Sequence, residues 1–192
     1  MMLDEAVRQI LPVDRESAAK AQIRLDGLTK PLGSLGRLEE TAVRYAAITG
    51  EVKPNVPRGV VFTFAADHGV ATEGVSAYPS EVTPQMVLNF LRGGAGVNVL
   101  ARHTDLEVRV VDIGVAYDFG SVQGLIQKKV RQGTGNLRRE PAMSRTDAVQ
   151  AMQVGLDLAT EAAREGIGLI GTGEMGIGNT TIAAAINLAL YG

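Results

Sequence analysis

The stretch Gly166-Ile-Gly-Leu-Ile-Gly-Thr-Gly-Glu-Met-Gly-Ile-Gly-Asn-Thr-Thr181, followed by the apolar run Ile182 to Leu190, admits few folds. Its apolar start reads as a short strand ending near Ile170. The glycines at 171, 173, 176 and 178 read as a loop, and Asn179-Thr180-Thr181 as the entrance to a helix. Strand, glycine loop and helix in that order build an anion site. Glycines let backbone N–H groups approach a ligand without a Cβ in the way, and a helix start offers unpaired N–H groups at the positive end of its dipole. A phosphate suits that place. Glu174 would repel a phosphate set directly against it and is better suited to the hydroxyls of an adjoining sugar. The same turn without a ligand is a common exit from a strand of an open α/β sheet, so the reading needs support elsewhere in the chain. Gly171, Gly173 and Gly176 also spell G-x-G-x-x-G, but a dinucleotide unit needs a further strand with an acidic residue about 20 positions on, and these residues stop at Gly192.

With 45% hydrophobic residues over 192 positions, the chain can bury one sizeable core. A net charge of -2 and only 4% aromatic residues argue against a nucleic-acid partner. No apolar run reaches the roughly 20 residues of a membrane-spanning helix, so no membrane partner is expected. The start Met-Met-Leu-Asp-Glu-Ala puts acids where a signal peptide carries positive charge, which points to a cytoplasmic location. There is no cysteine, hence no disulfide and no thiolate metal site.

Residues 3 to 24 carry a helical stripe of Leu3, Val7, Ile10 and Leu11, interrupted by Pro12, after which Asp14 is placed to cap a second segment through Ile23 and Leu25. The segment from Leu28 to Gly36 is too rich in Gly and Pro to be regular, yet Leu28, Leu32 and Leu35 are spaced to pack against something. A helix from Arg37 to Ile48 uses Leu38, Ala42, Tyr45 and Ala46 as its apolar side. The linker Lys53-Pro-Asn-Val-Pro57 then closes an N-terminal helical region, residues 1–57.

Residues 58–192 read as an α/β nucleotide-binding domain. Gly59 to Ala66 is a continuous apolar run, as in a strand covered on both faces, and Asp67-His68-Gly69 stand at its carboxyl end, where open sheets bind ligands. A long loop follows. Thr83-Pro84 opens a helix through Met86, Phe90 and Leu91, broken at Gly93-Gly-Ala-Gly96. Leu106 to Ile113 is a second strand, with Asp112 and Gly114 at its end, and Leu125 to Arg131 a short third. Lys128, Lys129, Arg131, Arg138 and Arg139 read mainly as a solvated basic surface, with one of them able to reach an anionic substrate. Ser144 caps a long helix with Ala148, Met152, Leu156, Ala159 and Ala163 inward, ended by Gly166. Strands alternating with helices give a doubly wound, mostly parallel, Rossmann-like sheet. A last strand followed by a single helix leaves that sheet short of walls for a ligand cleft, so the domain reads as incomplete.

Three stretches, Leu25 to Glu39, Ala66-Asp-His-Gly69 on to Thr83, and Gly171-Thr-Gly-Glu-Met-Gly-Ile-Gly-Asn-Thr-Thr181, together resemble the nicotinate-nucleotide–dimethylbenzimidazole phosphoribosyltransferases, which make the lower-ligand nucleotide of cobalamin. Arg131-Gln-Gly-Thr-Gly-Asn136 and Pro141-Ala-Met-Ser-Arg145 match as well. The resemblance runs from the first helix to the last residue, but over the N-terminal portion of such an enzyme only. It implies phosphoribosyl transfer from nicotinate mononucleotide to a nitrogen of 5,6-dimethylbenzimidazole, with inversion at the anomeric carbon, no cofactor and no metal, by a homodimer.

The resemblance further implies that Gly173, Gly176, Gly178, Asn179 and Thr180 meet the phosphate, and that Glu174 supports the ribose or the positive charge that develops on it. Tyr78, Gln85 and Met86 would shape the base pocket. Asp67 and His68 would either fix the loop or take part in catalysis. The family's glutamate general base and a phosphate-binding lysine fall in the portion the resemblance does not reach. Weak nucleotide binding and negligible turnover by these residues alone are therefore expected. Two other classes stay open: a nicotinamide dinucleotide oxidoreductase, suggested by the glycine spacing, and a non-catalytic nucleotide-binding module. A metal hydrolase built on Asp67, His68 and Glu73 would lack a second nearby histidine.

Overall fold

The computed structural model describes residues 2–55 and 58–192, so Val56 and Pro57 of the expected linker lie outside the described residues. Two compact units make up the chain, Met1–Val56 and Pro57–Gly192. The first holds helices α1 (Leu3–Arg8), α2 (Arg15–Asp26) and α3 (Arg37–Thr49). Pro12 separates α1 from α2, and the Asp14 carboxylate caps α2 by accepting from the Glu16 and Ser17 N–H groups. α2 and α3 meet through small residues: Ser17, Ala21, Ala46 and Ala47 are buried, together with Glu39, which is held by Lys30 at 2.8 Å and by the Leu35 N–H at 3.0 Å. The leucines expected to pack inward do not. Leu32 is 75% exposed and Leu38 70%, because alanines bring the two helix backbones close and larger side chains are left on the flanks.

The second unit is built on strands β1 (Arg58–Ala66), β2 (Leu106–Gly114), β3 (Leu125–Gln127) and β4 (Ile167–Met175), all parallel, in the order β3-β2-β1-β4. Helices α4 (Val82–Leu91), α5 (Gly96–His103), α6 (Arg145–Arg164) and α7 (Asn179–Tyr191) alternate with them. On one sheet face Ala65, Val110 and Val115 pack with Val87 and Phe90 of α4. On the other, Val60, Phe62, Val111 and Ile167 pack with Leu158 and Ala162 of α6. The fold is thus α/β with helices on both faces of a parallel sheet, which is why β1 reads as an unbroken apolar run. Val60, Val87 and Val111 are at most 1% exposed, and each contributes roughly 1.5–3 kcal/mol by burial.

Four local expectations change. α6 buries Leu158 and Ala162, with Val154 half-buried beside them, rather than the stripe from Ala148 to Ala163: the helix is apolar on two sides, and the side that meets Val60 and Phe62 is the one buried. β3 stops at Gln127. Thr83 does not cap α4 but lies inside it, fully buried. Most consequentially, β4 runs on through Met175, so Gly171, Gly173 and Glu174 belong to a strand and not to a loop. Pairing with β1, Thr63 opposite Gly173 and Phe64 opposite Glu174, overrides the local preference of glycine.

The basic cluster is also less free than its sequence suggests. Lys129 pairs with buried Asp112 at 2.9 Å, Arg131 with Asp147 at 3.4 Å, and Arg138 and Arg139 with Glu73 at 2.6 and 2.9 Å.

Candidate functional site

Parallel strands deliver their carboxyl ends to one side, and β1, β2 and β4 end within a residue or two of one another: Ala65 is opposite both Asp112 and Met175. Asp67 and His68 follow β1 there. Asp67 is buried and held on three sides: its N–H donates to the Gly114 carbonyl at 3.1 Å, its carbonyl accepts from the Thr134 N–H at 3.0 Å, and its Oδ2 accepts from the Ala116 N–H at 2.8 Å. Its other oxygen, Oδ1, is buried without a partner among the described residues. Asp112, 1% exposed, accepts from the Gly114 and Val115 N–H groups at 3.1 and 2.9 Å, while Lys129 also donates to the Val115 and Tyr117 carbonyls. A buried carboxylate paired and fully hydrogen-bonded in this way fixes the β2 end rather than meeting a ligand.

Gly176-Ile177-Gly178 is the turn between β4 and α7, and close approach dictates its glycines. A Cβ on Gly176 would collide with the Ala66 carbonyl oxygen and lie 3.1 Å from His68 Nε2, while Gly178 holds φ at +95°, a conformation that side chains resist. The Ile177 N–H donates to Thr83 Oγ1 at 3.2 Å, Asn179 N–H to the Gly176 carbonyl at 3.1 Å and Thr181 N–H to the Gly178 carbonyl at 3.0 Å. The Gly178 and Thr180 N–H groups have no acceptor among the described residues, so they remain, with the α7 dipole, for an anion. The Asn179 side chain meets His68 Nε2. Gly173 is not part of this turn. The side chain of Glu174, near the end of β4, is exposed and makes no ion pair or hydrogen bond among the described residues.

A cavity of about 470 Å³ is walled by Asp67, Ser80, Ala116, Tyr117, the α4 cap residue Glu81 and one face of α4, namely Pro84, Gln85 and Leu88. Of the residues expected at a base pocket, Gln85 lines it. Tyr78 is exposed in the preceding loop, and Met86 packs against the core on the far side of α4. Glu81, Pro84, Gln85 and Leu88 follow the i, i+3, i+4, i+7 spacing of one helix face, a signal present in the sequence once the helix start is placed correctly. Tyr117 and Ala116 come from the segment after β2, which no local pattern marks.

Glu73 is drawn away from any metal role. Asn136 donates to it at 2.7 Å and Arg138 and Arg139 pair with it, holding its carboxyl below the usual glutamate range, Asn136 first and Arg138 next. Among the described residues no group of three or more His, Cys, Asp or Glu is disposed to hold a metal ion.

A doubly wound sheet with a glycine turn and a cavity at its strand carboxyl ends defines the class of α/β proteins that receive ligands at that edge. A family model described as phosphoribosyltransferase matches residues 10–192. The chain is 65% identical over 191 residues to the nicotinate-nucleotide–dimethylbenzimidazole phosphoribosyltransferase of Geobacter sulfurreducens and 61% identical to that of Geotalea uraniireducens, covering all of this chain and 54% of each relative. The crystal structure of the enzyme of that name from Thermus thermophilus superposes with a TM-score of 0.88 at 53% identity, over 92% of this chain and 54% of that one. The chain belongs to the phosphoribosyltransferase family. It spans about half the length of the curated relatives it matches.

Proposed function

We propose that these residues supply the nucleotide turn and the base pocket for transfer of the 5-phosphoribosyl group from nicotinate mononucleotide to 5,6-dimethylbenzimidazole, giving α-ribazole 5′-phosphate and nicotinate. The observation that carries the reading is that turn and cavity share two elements. Asp67 walls the cavity while its neighbour His68 meets Asn179, and α4 walls the cavity while its Thr83 accepts from the Ile177 N–H. A phosphate seated on Gly176, Gly178, Asn179 and Thr180 therefore has its ribose directed beside the cavity, and holding both reactants in one frame removes much of the entropic barrier.

Glu174, unpaired, is left to accept from ribose hydroxyls and to stabilise positive charge at the anomeric carbon. There the bond to the nicotinate nitrogen breaks and a bond to the incoming ring nitrogen forms. Nicotinate leaves from a pyridinium and needs no proton, whereas the attacking ring must lose one. Because the chain matches half of its relatives, we propose that it binds nucleotide but turns over negligibly by itself, and that it works as a cytoplasmic homodimer.

The dinucleotide reading is the weaker one, since two of the three glycines of its pattern, Gly171 and Gly173, lie in β4 and not at the helix entrance. Calorimetric titration separates the two. The expected result is saturable binding of nicotinate mononucleotide, competed by inorganic phosphate, with no chromatographic product when both substrates are supplied. Tight NAD binding with no response to the mononucleotide would overturn the assignment, and product formation at the rate of a full-length relative would overturn the lack of turnover.

A further inference from the structure

His68 is a half-buried titratable group to which the reaction assigns no task. One ring nitrogen, Nε2, meets Asn179 Oδ1. The other, Nδ1, is buried with no partner among the described residues. A buried N–H without an acceptor is rarer and costlier than a buried lone pair without a donor, so the tautomer that fits carries its proton on Nε2 and donates to Asn179 Oδ1. That fixes which way the Asn179 amide faces: its oxygen is occupied by His68, and its NH₂ has no acceptor among the described residues, at a helix start where the Gly178 and Thr180 N–H groups have none either. The ring is closely neighboured. Gly176 lies so close that even a methyl group there would crowd it, and the backbone of the next residue, Gly69, is pressed against that of Gly135 and Asn136.

We infer that His68 is a positioning residue that locks Asn179 with its amide donors toward the turn, so that the turn presents donors only and selects a multiply charged oxyanion, the monoester phosphate of the mononucleotide. This rests on the reading of the turn as the phosphate site.

Two measurements test it, and they fail separately. The chain has two histidines, so a long-range nitrogen–proton NMR spectrum can be assigned by removing one of them. The expected pattern for His68 is the Nε2–H tautomer, with or without ligand, and an Nδ1–H tautomer overturns the inference whatever the ligand is. Calorimetry with nicotinate mononucleotide then compares variants. His68→Ala is expected to weaken binding about tenfold, the loss of one oriented hydrogen bond to a charged group. His68→Gln, which can place an N–H near the Nε2 position, is expected to restore most of it. Asn179→Asp, which turns a carboxylate oxygen toward the phosphate, is expected to weaken binding by more than His68→Ala. Equal affinity of wild type and His68→Ala, or a His68→Gln as weak as the alanine variant, overturns the inference while leaving the phosphate site standing. Absence of mononucleotide binding by the wild-type chain overturns the phosphate site itself. Should His68→Ala fail to fold, the glutamine and aspartate variants and the spectrum still decide.

Discussion

A methyl group on Gly176 would meet the Ala66 carbonyl, a backbone atom that cannot swing aside, as well as the ring of His68. Gly176→Ala is therefore expected to destabilise the second unit by about 1–3 kcal/mol or more, the usual cost of overpacking, seen as a lower denaturation midpoint. Gly155→Ala is its control. That glycine lies in the interior of α6 with nothing within 4 Å of an added Cβ, so the substitution is expected to stabilise by about 0.5–1 kcal/mol. Lys129 is the opposite kind of residue, replaceable in shape but not in charge. Lys129→Met strands the carboxylate of Asp112, 1% exposed, and is expected to cost about 3 kcal/mol, the low end for a broken buried pair because Lys129 is itself partly solvated. Lys129→Met combined with Asp112→Asn should recover much of that loss in urea titrations; a double variant no more stable than the single one would contradict the pairing argument. The charge of Lys129 was visible in the sequence, but its partner lies 17 positions away and is found only through strand pairing.

Two helix caps were readable because their physics is local, whereas Thr83, which reads as a cap, lies inside α4. Asp14 and Ser144 each bind N–H groups within three residues, and Ser144 with Asp147 forms a reciprocal capping box. Ser144→Ala is expected to cost about 1 kcal/mol. The extent of β4 was not readable, because glycines that locally favour a loop are held extended by β1. The buried side of α6 was hidden for a similar reason: two apolar stripes satisfy the same periodicity, and only the sheet selects one. Longer links join elements whose proximity no pattern announces. Glu73, ending the turn after β1, grips Asn136, Arg138 and Arg139 and so ties two distant segments that flank the site. Its folded-state carboxyl lies below its unfolded value, so its contribution is complete above the ordinary glutamate pKa of roughly 4.3 and is lost as pH falls through the folded value. Wild type should therefore lose melting temperature on acidification more steeply than Glu73→Gln, with the two curves converging at low pH. Parallel curves from neutral pH downward would assign the loss to other carboxylates.

At the scale of the second unit, the sheet ends on the three-residue β3 at one edge and on the nine-residue β4 at the other. β1 and β2 are buried, whereas β4 has strand pairing on one edge only among the described residues, with Leu169 and Ile170 exposed. α7 is predominantly apolar yet buries none of its side chains, and Leu188 is 70% exposed. A parallel strand with a bare edge, beside a bare apolar helix, is a template for pairing with another chain, because unpaired backbone groups and apolar area are both relieved by one contact. The expected behaviour is self-association: light scattering at micromolar concentration should give a mass above that of one chain, rising with concentration. Ile170→Lys and Leu188→Lys place charge on the strand edge and the helix, and together they should lower the mass toward one chain without lowering the melting temperature, since neither side chain is in the core. A wild-type chain that stays monomeric throughout that range would mean that the open edge is protected by something other than a second copy. A charged variant that associates as strongly as wild type would place the contact elsewhere on the surface.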